Sequence, residues 1–275
     1  MKLYKFLFSL LLLLFSCQSS ERPADVLVTT APYATFTQRI AGDLLKVEVL
    51  VPPGTNPHIY EPTPKQVERI LGVHIWFRLG ETIETRVLGA MEENNPQLIV
   101  VDLTKGFGLR HEGEEGLDRH LWMSPKLAME QSKIIAQTLE ETYPEHKEKF
   151  QNGLGALLKD LEALDLQLTQ QLAPIKGQAM LVSHPAFGYF CEEFGLEQLS
   201  VEVEGKDPLP QDIENMLQTA QKNTVRAVFI LPEYNNKGAI LIAEKLGLPV
   251  YEIDPYAANY FETMQTLGNL LAKSN

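Results

Sequence analysis

Short apolar and β-branched runs alternate with amphipathic stretches along most of the chain. One set reads "DVLVTT" (25–30), "LKVEVLV" (45–51), "GVHIWFRL" (72–79) and "QLIVVDL" (97–103). A second set reads "QAMLVSH" (178–184), "EQLSVEV" (197–203), "VRAVFIL" (225–231) and "LPVYEID" (248–254). Most are close to continuously apolar, the pattern of strands covered on both faces of a parallel sheet. Helical stretches lie between them, such as "TPKQVERIL", with Thr63 as N-cap and Pro64 in the first helical position. The alternation predicts an α/β protein of two lobes, each with a four-stranded, mainly parallel sheet flanked by helices.

Between the two sets no strand is predicted. "SPKLAMEQSKIIAQTLEET" opens with Ser124 and Pro125, a cap and first-turn pair. A second helix is predicted from Pro144 to Pro174, with Phe150, Leu154, Leu157, Leu158, Leu161, Leu164, Leu168 and Leu172 at spacings of three and four. Thirty helical residues reach about 45 Å, so this segment is expected to be a long rigid helix joining the lobes. Gly153 and Gly155 weaken it, by about 1 kcal/mol each relative to Ala. The expected division is therefore an N-terminal lobe over 24–143, a linking helix over 144–174 and a C-terminal lobe over 175–275.

Residues 1–16 change the picture. Lys2 and Lys5 precede an apolar run, Phe6–Phe15, too short to span a bilayer and long enough for a signal-peptide core. The run ends in Ser16-Cys17, which resembles a bacterial lipobox. Cleavage before Cys17 would leave a lipidated cysteine on a short polar tether, residues 17–23, with the protein anchored outside the cytoplasmic membrane. The whole chain is 44% hydrophobic and 22% charged, with net charge −12. That composition is that of a folded domain, and the negative balance disfavours nucleic acid, whose binding depends on Lys and Arg. Cys191, in "YFCEEFG", has no second body cysteine to pair with and is expected to be a small buried filler.

The histidines separate by position. Ligands of open α/β sheets bind outside the carboxyl ends of the strands. His58 lies in the loop after the second strand, His120 in the loop after the fourth, and His184 at the close of the first strand of the second half. Asp254 closes the last strand. Three imidazoles and a carboxylate at facing sheet edges form a set that Zn2+ accepts, and that Mn2+ or iron accepts less selectively. The others have structural readings: His74 a hydrogen-bonded core residue, His146 on the polar side of the linking helix, His111 in an acidic loop. Spacing alone does not show that the four side chains converge.

The segments "NPHIYEPTP", "DRHLWMSP", "SHPAFGYF" and "IDPYAANYFETM" resemble, in order, the four ligand-bearing segments of the cluster A-I solute-binding proteins of ABC importers (TroA-like), specifically the zinc-binding branch. The resemblance extends over essentially the whole mature chain. It implies two lobes joined by one long helix, with a buried metal in the cleft, and assigns the ligand role to His58, His120, His184 and Asp254. Manganese-binding relatives carry a carboxylate where this chain has His184, which implies Zn2+ as the ion, Mn2+ being the alternative. Three departures stand out. Arg119 replaces the usual proline before the second ligand, so its side chain must point away or pair with an acid such as Asp118. Leu231-Pro232-Glu233 stands where relatives carry a glutamate-proline pair. The loop before His120 is short and acidic instead of long and histidine-rich.

The implied function is capture of Zn2+ and its delivery to a membrane permease driven by a cytoplasmic ATPase. The protein would act as a monomer, with no bond broken in any substrate. A secreted zinc hydrolase is the rival of another class, but the sequence holds neither an H-E-x-x-H helix nor a nucleophile elbow. A surface adhesin is the third reading compatible with lipidation.

Overall fold

The computed structural model describes residues 23–112, 116–202, 208–232 and 234–274. The signal segment, Cys17 and Glu233 lie outside the described residues. In the N-terminal lobe, β1 (Val26–Val28), β2 (Val47–Val49), β3 (Ile75–Arg78) and β4 (Ile99–Asp102) form a parallel sheet ordered β2-β1-β3-β4. Helices α1 (Ala31–Ala41), α2 (Pro64–Ile70) and α3 (Thr82–Asn94) connect them. A small antiparallel hairpin follows, β5 (His111–Glu112) with β6 (Gly116–Leu117), where the sequence suggested only a loop. Helix α4 (Pro125–Thr142) then starts from the Ser124 cap, whose hydroxyl accepts from Leu127 N at 3.1 Å.

The C-terminal lobe repeats the plan. Strands β7 (Ala179–Val182), β8 (Glu197–Ser200), β9 (Val225–Ile230) and β10 (Val250–Glu252) are parallel in the order β10-β9-β7-β8. Helices α6 (Gly188–Phe194), α7 (Pro210–Lys222), α8 (Lys237–Leu246) and α9 (Tyr260–Lys273) surround them. In both sheets the observed strands are shorter than the apolar runs. The residues beyond their carboxyl ends, such as Thr29-Thr30 and Ser183-His184, lead into the loops that follow the strands, and the second pair carries one of the site's imidazoles.

The linking helix α5 (Lys147–Leu172) is flanked by 3-10 turns at Pro144–His146 and Ala173–Ile175. It buries Phe150, Leu157, Leu161, Leu164, Leu168 and Leu172. Rather than bridging open space, α5 packs against α1, α4 and α9. One apolar core runs from Val28 and Phe77 through Leu161 to Phe229 and Leu267, so the two lobes share it. The outer face of each sheet has its own cluster, around Leu27, Trp76 and Met91 in one lobe and Leu181, Val228 and Ile242 in the other. Gly153, which the sequence presents only as a weak point, has a packing reason. A Cβ there would lie 2.4 Å from the Ile40 carbonyl oxygen, so its absence lets α5 approach the end of α1.

Two bland assignments meet different outcomes. Cys191 is buried in α6, and burial pushes its thiol pKa far up, as a filler requires. His74 is not in the core: it is exposed immediately before β3, its Nδ1 3.0 Å from the Tyr143 hydroxyl. The apolar run around it belongs to the strand, and His74 sits one residue outside.

Candidate metal centre

Both sheets reverse their winding at the central pair, β1/β3 in one and β7/β9 in the other, and the loops at these carboxyl ends face each other. His58 lies in the loop between β2 and α2. Asn56 Oδ1 accepts from the His58 backbone N–H at 2.9 Å. At the loop's far end, Thr63 and Gln66 form a capping box that fixes the start of α2. His120 follows the β5–β6 hairpin, and His184 follows β7. Ser183, beside it, accepts from Leu231 N at 3.1 Å, tying the turn to the end of β9.

These loops bring the three imidazoles together. One ring nitrogen of each of His58, His120 and His184 lies within 4.8 Å of the other two. Ring centroids are 5.0 Å apart for His58 and His184, 5.3 Å for His120 and His184, and 6.2 Å for His58 and His120. His120 and His184 are buried and His58 is exposed, so the cluster opens to solvent on the His58 side.

Each imidazole is held from behind by a carboxylate. His120 Nδ1 is 2.8 Å from Asp118 Oδ1, which also accepts the His120 backbone N–H at 2.9 Å. His184 Nδ1 is 2.9 Å from Glu202 Oε2, and His58 Nδ1 is 3.3 Å from Glu81 Oε2. A carboxylate only accepts, so each Nδ1 carries a proton and each Nε2 is the ring nitrogen left to bind an ion. His58 Nε2 and His184 Nε2 face each other at 3.3 Å. A cation between them, displacing any proton shared there, would take both lone pairs as bonds. An Nε2 separation of about 3.3–3.4 Å is also the edge of a tetrahedron with Zn–N bonds of 2.0–2.1 Å.

Charges and burial support this state. Burial, followed by the neighbouring charges of His120 and His184's other neighbour His58, holds the His184 pKa well below the usual imidazole value, so the ring is neutral and ready to ligate. Burial works to raise the Glu81 pKa. The His58 hydrogen bond and the charges of His58, His120 and Arg119 outweigh it, and the carboxyl stays below the usual value.

Asp254 is placed differently from the histidines. Among the described residues it is not part of the close group. Its Oδ1 accepts from Tyr256 N at 2.8 Å, and burial raises its pKa, with that hydrogen bond opposing and Glu252 adding to the rise. The group nearest His120 Nε2 from this loop is instead the Tyr256 hydroxyl, at 2.8 Å. Arg119 Nη1 donates to the Leu117 carbonyl at 3.1 Å, and its charge is among those that lower the Glu81 pKa. Its expected partner Asp118 is engaged by His120, with Arg110 Nε at 4.0 Å. Sequence reasoning passed over Glu81, Glu202 and Tyr256. The strand-end rule that singled out the histidines would also have found Glu81 after β3 and Glu202 after β8.

The sequence profile of the family described as zinc-uptake complex component A, periplasmic, matches residues 26–274. The chain belongs to that family. Zinc-uptake component A proteins are the extracytoplasmic, zinc-binding components of ABC zinc importers, a family of solute-binding proteins. A putative metal-binding protein of Chlamydia trachomatis is 28% identical over 279 residues, covering 96% of this chain and 98% of that protein. The zinc-binding lipoprotein AdcA of Streptococcus pneumoniae is 26% identical over 89% of this chain, which spans 53% of AdcA. A crystal structure of ZnuA superposes with a TM-score of 0.86 at 30% identity, over 92% of this chain and 99% of that one. The fold of two four-stranded parallel sheets joined by a long helix is therefore the zinc-uptake component A fold. Among the described residues no helix is long and apolar enough to cross a membrane.

Proposed function

We propose that this chain captures Zn2+ outside the cytoplasmic membrane through the Nε2 atoms of His58, His120 and His184, and passes the ion to a permease powered by a cytoplasmic ATPase. Asp254, two residues beyond β10, is the oxygen donor assigned to complete the set. Glu81, Asp118 and Glu202 orient the imidazoles and supply the negative charge that a divalent ion needs beside neutral ligands. Cys17 is the proposed lipid attachment point, and the ion is bound and released without chemical conversion by a monomer. The observation that carries this reading is the close approach of the Nε2 atoms of His58 and His184, 3.3 Å apart, with the Nδ1 of each beside a carboxylate. Three imidazoles favour Zn2+ over the harder Mn2+.

Calorimetric titration of the metal-free protein is the test. Saturable binding of one Zn2+ is expected, stronger than that of Mn2+ and abolished or strongly weakened in His184→Ala. Binding unaffected by that substitution would reject the assignment.

A further inference from the structure

The Tyr256 hydroxyl stands against the His120 nitrogen proposed above to bind the ion. Asp118 accepts the backbone and Nδ1 N–H groups of His120, at 2.9 Å and 2.8 Å, so Nε2 is the ring nitrogen left for an ion. The Tyr256 hydroxyl is hydrogen-bonded to that Nε2 at 2.8 Å. One lone pair serves one partner at a time. The same imidazole belongs to the close group of three, so the phenol and an ion compete for it.

The surroundings suit a competitor that stays in place. Tyr256 is only 6% exposed, its ring 5.7 Å from that of Trp122 and 5.8 Å from that of His120. The Trp122 indole N–H holds the adjoining Pro255 carbonyl at 2.8 Å. A second hydroxyl is at hand: Tyr234 OH is 3.3 Å from Tyr256 OH, and its ring stacks on His184 with centroids 4.4 Å apart.

We propose, on the basis of the zinc reading above, that Tyr256 is a built-in competitor for the ion: its hydroxyl holds His120 ready in the metal-free protein, yields Nε2 on binding, and so moderates affinity and speeds release. A delivery protein has to let go of its ion. A donor poised beside one ligand satisfies that ligand as soon as the ion departs.

The test compares the full mature chain with Tyr256→Phe, using chelator-competition titration with Zn2+, chelator-triggered release, and near-ultraviolet difference absorption. The variant is expected to bind Zn2+ roughly two- to tenfold more tightly, the span of one net hydrogen bond, and to release it more slowly. Zn2+ should produce a tyrosine difference signal in the wild type that is missing in the variant. Weaker binding by the variant would overturn the proposal by making the phenol a ligand, and unchanged affinity and release would overturn it by removing the competition. If the variant fails to fold, the wild-type spectrum decides: no tyrosine signal on adding Zn2+ overturns the proposal. A wild type that binds no Zn2+ at all defeats the zinc reading itself, an outcome visible before any variant is compared.

Discussion

The Trp122 indole donates to the Pro255 carbonyl at 2.8 Å, and both groups are buried. Trp122 follows His120 by two residues, and Pro255 lies between Asp254 and Tyr256. One bond thus clasps two loops of the site, reinforced by the Tyr260 hydroxyl donating to the Trp122 carbonyl at 2.8 Å. Replacing Trp122 with Phe leaves the Pro255 carbonyl without this donor. A loss of about 1–3 kcal/mol in stability is expected, together with faster Zn2+ dissociation from intact imidazoles. Denaturant unfolding and stopped-flow release into chelator measure the two effects.

The carboxylates behind the imidazoles give a second prediction. Glu202→Gln and Asp118→Asn keep shape while removing charge and acceptor strength at Nδ1. Zn2+ affinity should fall roughly 10–100-fold in each. The loss should be greater for Asp118, which also accepts the His120 backbone N–H. Competition titration ranks the variants, and wild-type affinity in both would show that these acids serve the fold alone.

Glu193 makes stability depend on pH. Its carboxyl, on α6, accepts from Ser124 Oγ at the start of α4, and the Lys126 ammonium is 3.7 Å from both Glu193 and Asp165 of α5. Burial first, and then Asp165, push its pKa up to about 7 against the Ser124 hydrogen bond. In the unfolded chain it ionises near the usual value of about 4.3. Between those values the folded state holds a proton that the unfolded state has lost. Stability is thus fully supported below about pH 4.3 and falls as pH rises through 7. Glu193→Gln should raise the melting temperature of the metal-free protein by several degrees at pH 8, about 1–3 kcal/mol, with no gain at pH 4.5. Thermal melts across that range provide the check.

Two glycines of α5 should respond oppositely to alanine. At Gly153 a Cβ meets the Ile40 carbonyl at 2.4 Å, whereas at Gly155 it meets nothing within 4 Å. Gly153→Ala should destabilise by about 1–3 kcal/mol through separation of α1 and α5. Gly155→Ala should stabilise by up to about 1 kcal/mol, the helix-propensity difference. Urea unfolding midpoints distinguish them, and equal effects would refute the packing role of Gly153.

The central strands were legible because buried parallel strands need apolar residues on both faces, as at Val26–Val28 and Ala179–Val182. The leucine stripe of α5 was legible for the corresponding helical reason. His74 was misread because a run of apolar letters does not mark where a strand begins, and the residue falls just outside β3. Arg119 and Asp118 are neighbours in the chain, but the tertiary environment gives Asp118 to His120 and directs Arg119 to the Leu117 carbonyl.

By itself the sequence determined the kinds of element, their order, and the presence of three imidazoles at strand ends, since each depends on short-range periodicity and on where an apolar run stops. Only the tertiary structure decided that those imidazoles meet, that Glu81, Asp118 and Glu202 set their tautomers, and that Tyr256 instead of Asp254 stands at His120 Nε2. These relations depend on how two sheets are set against each other by one shared core around α5, a placement summed over many distant contacts and carried by no local pattern.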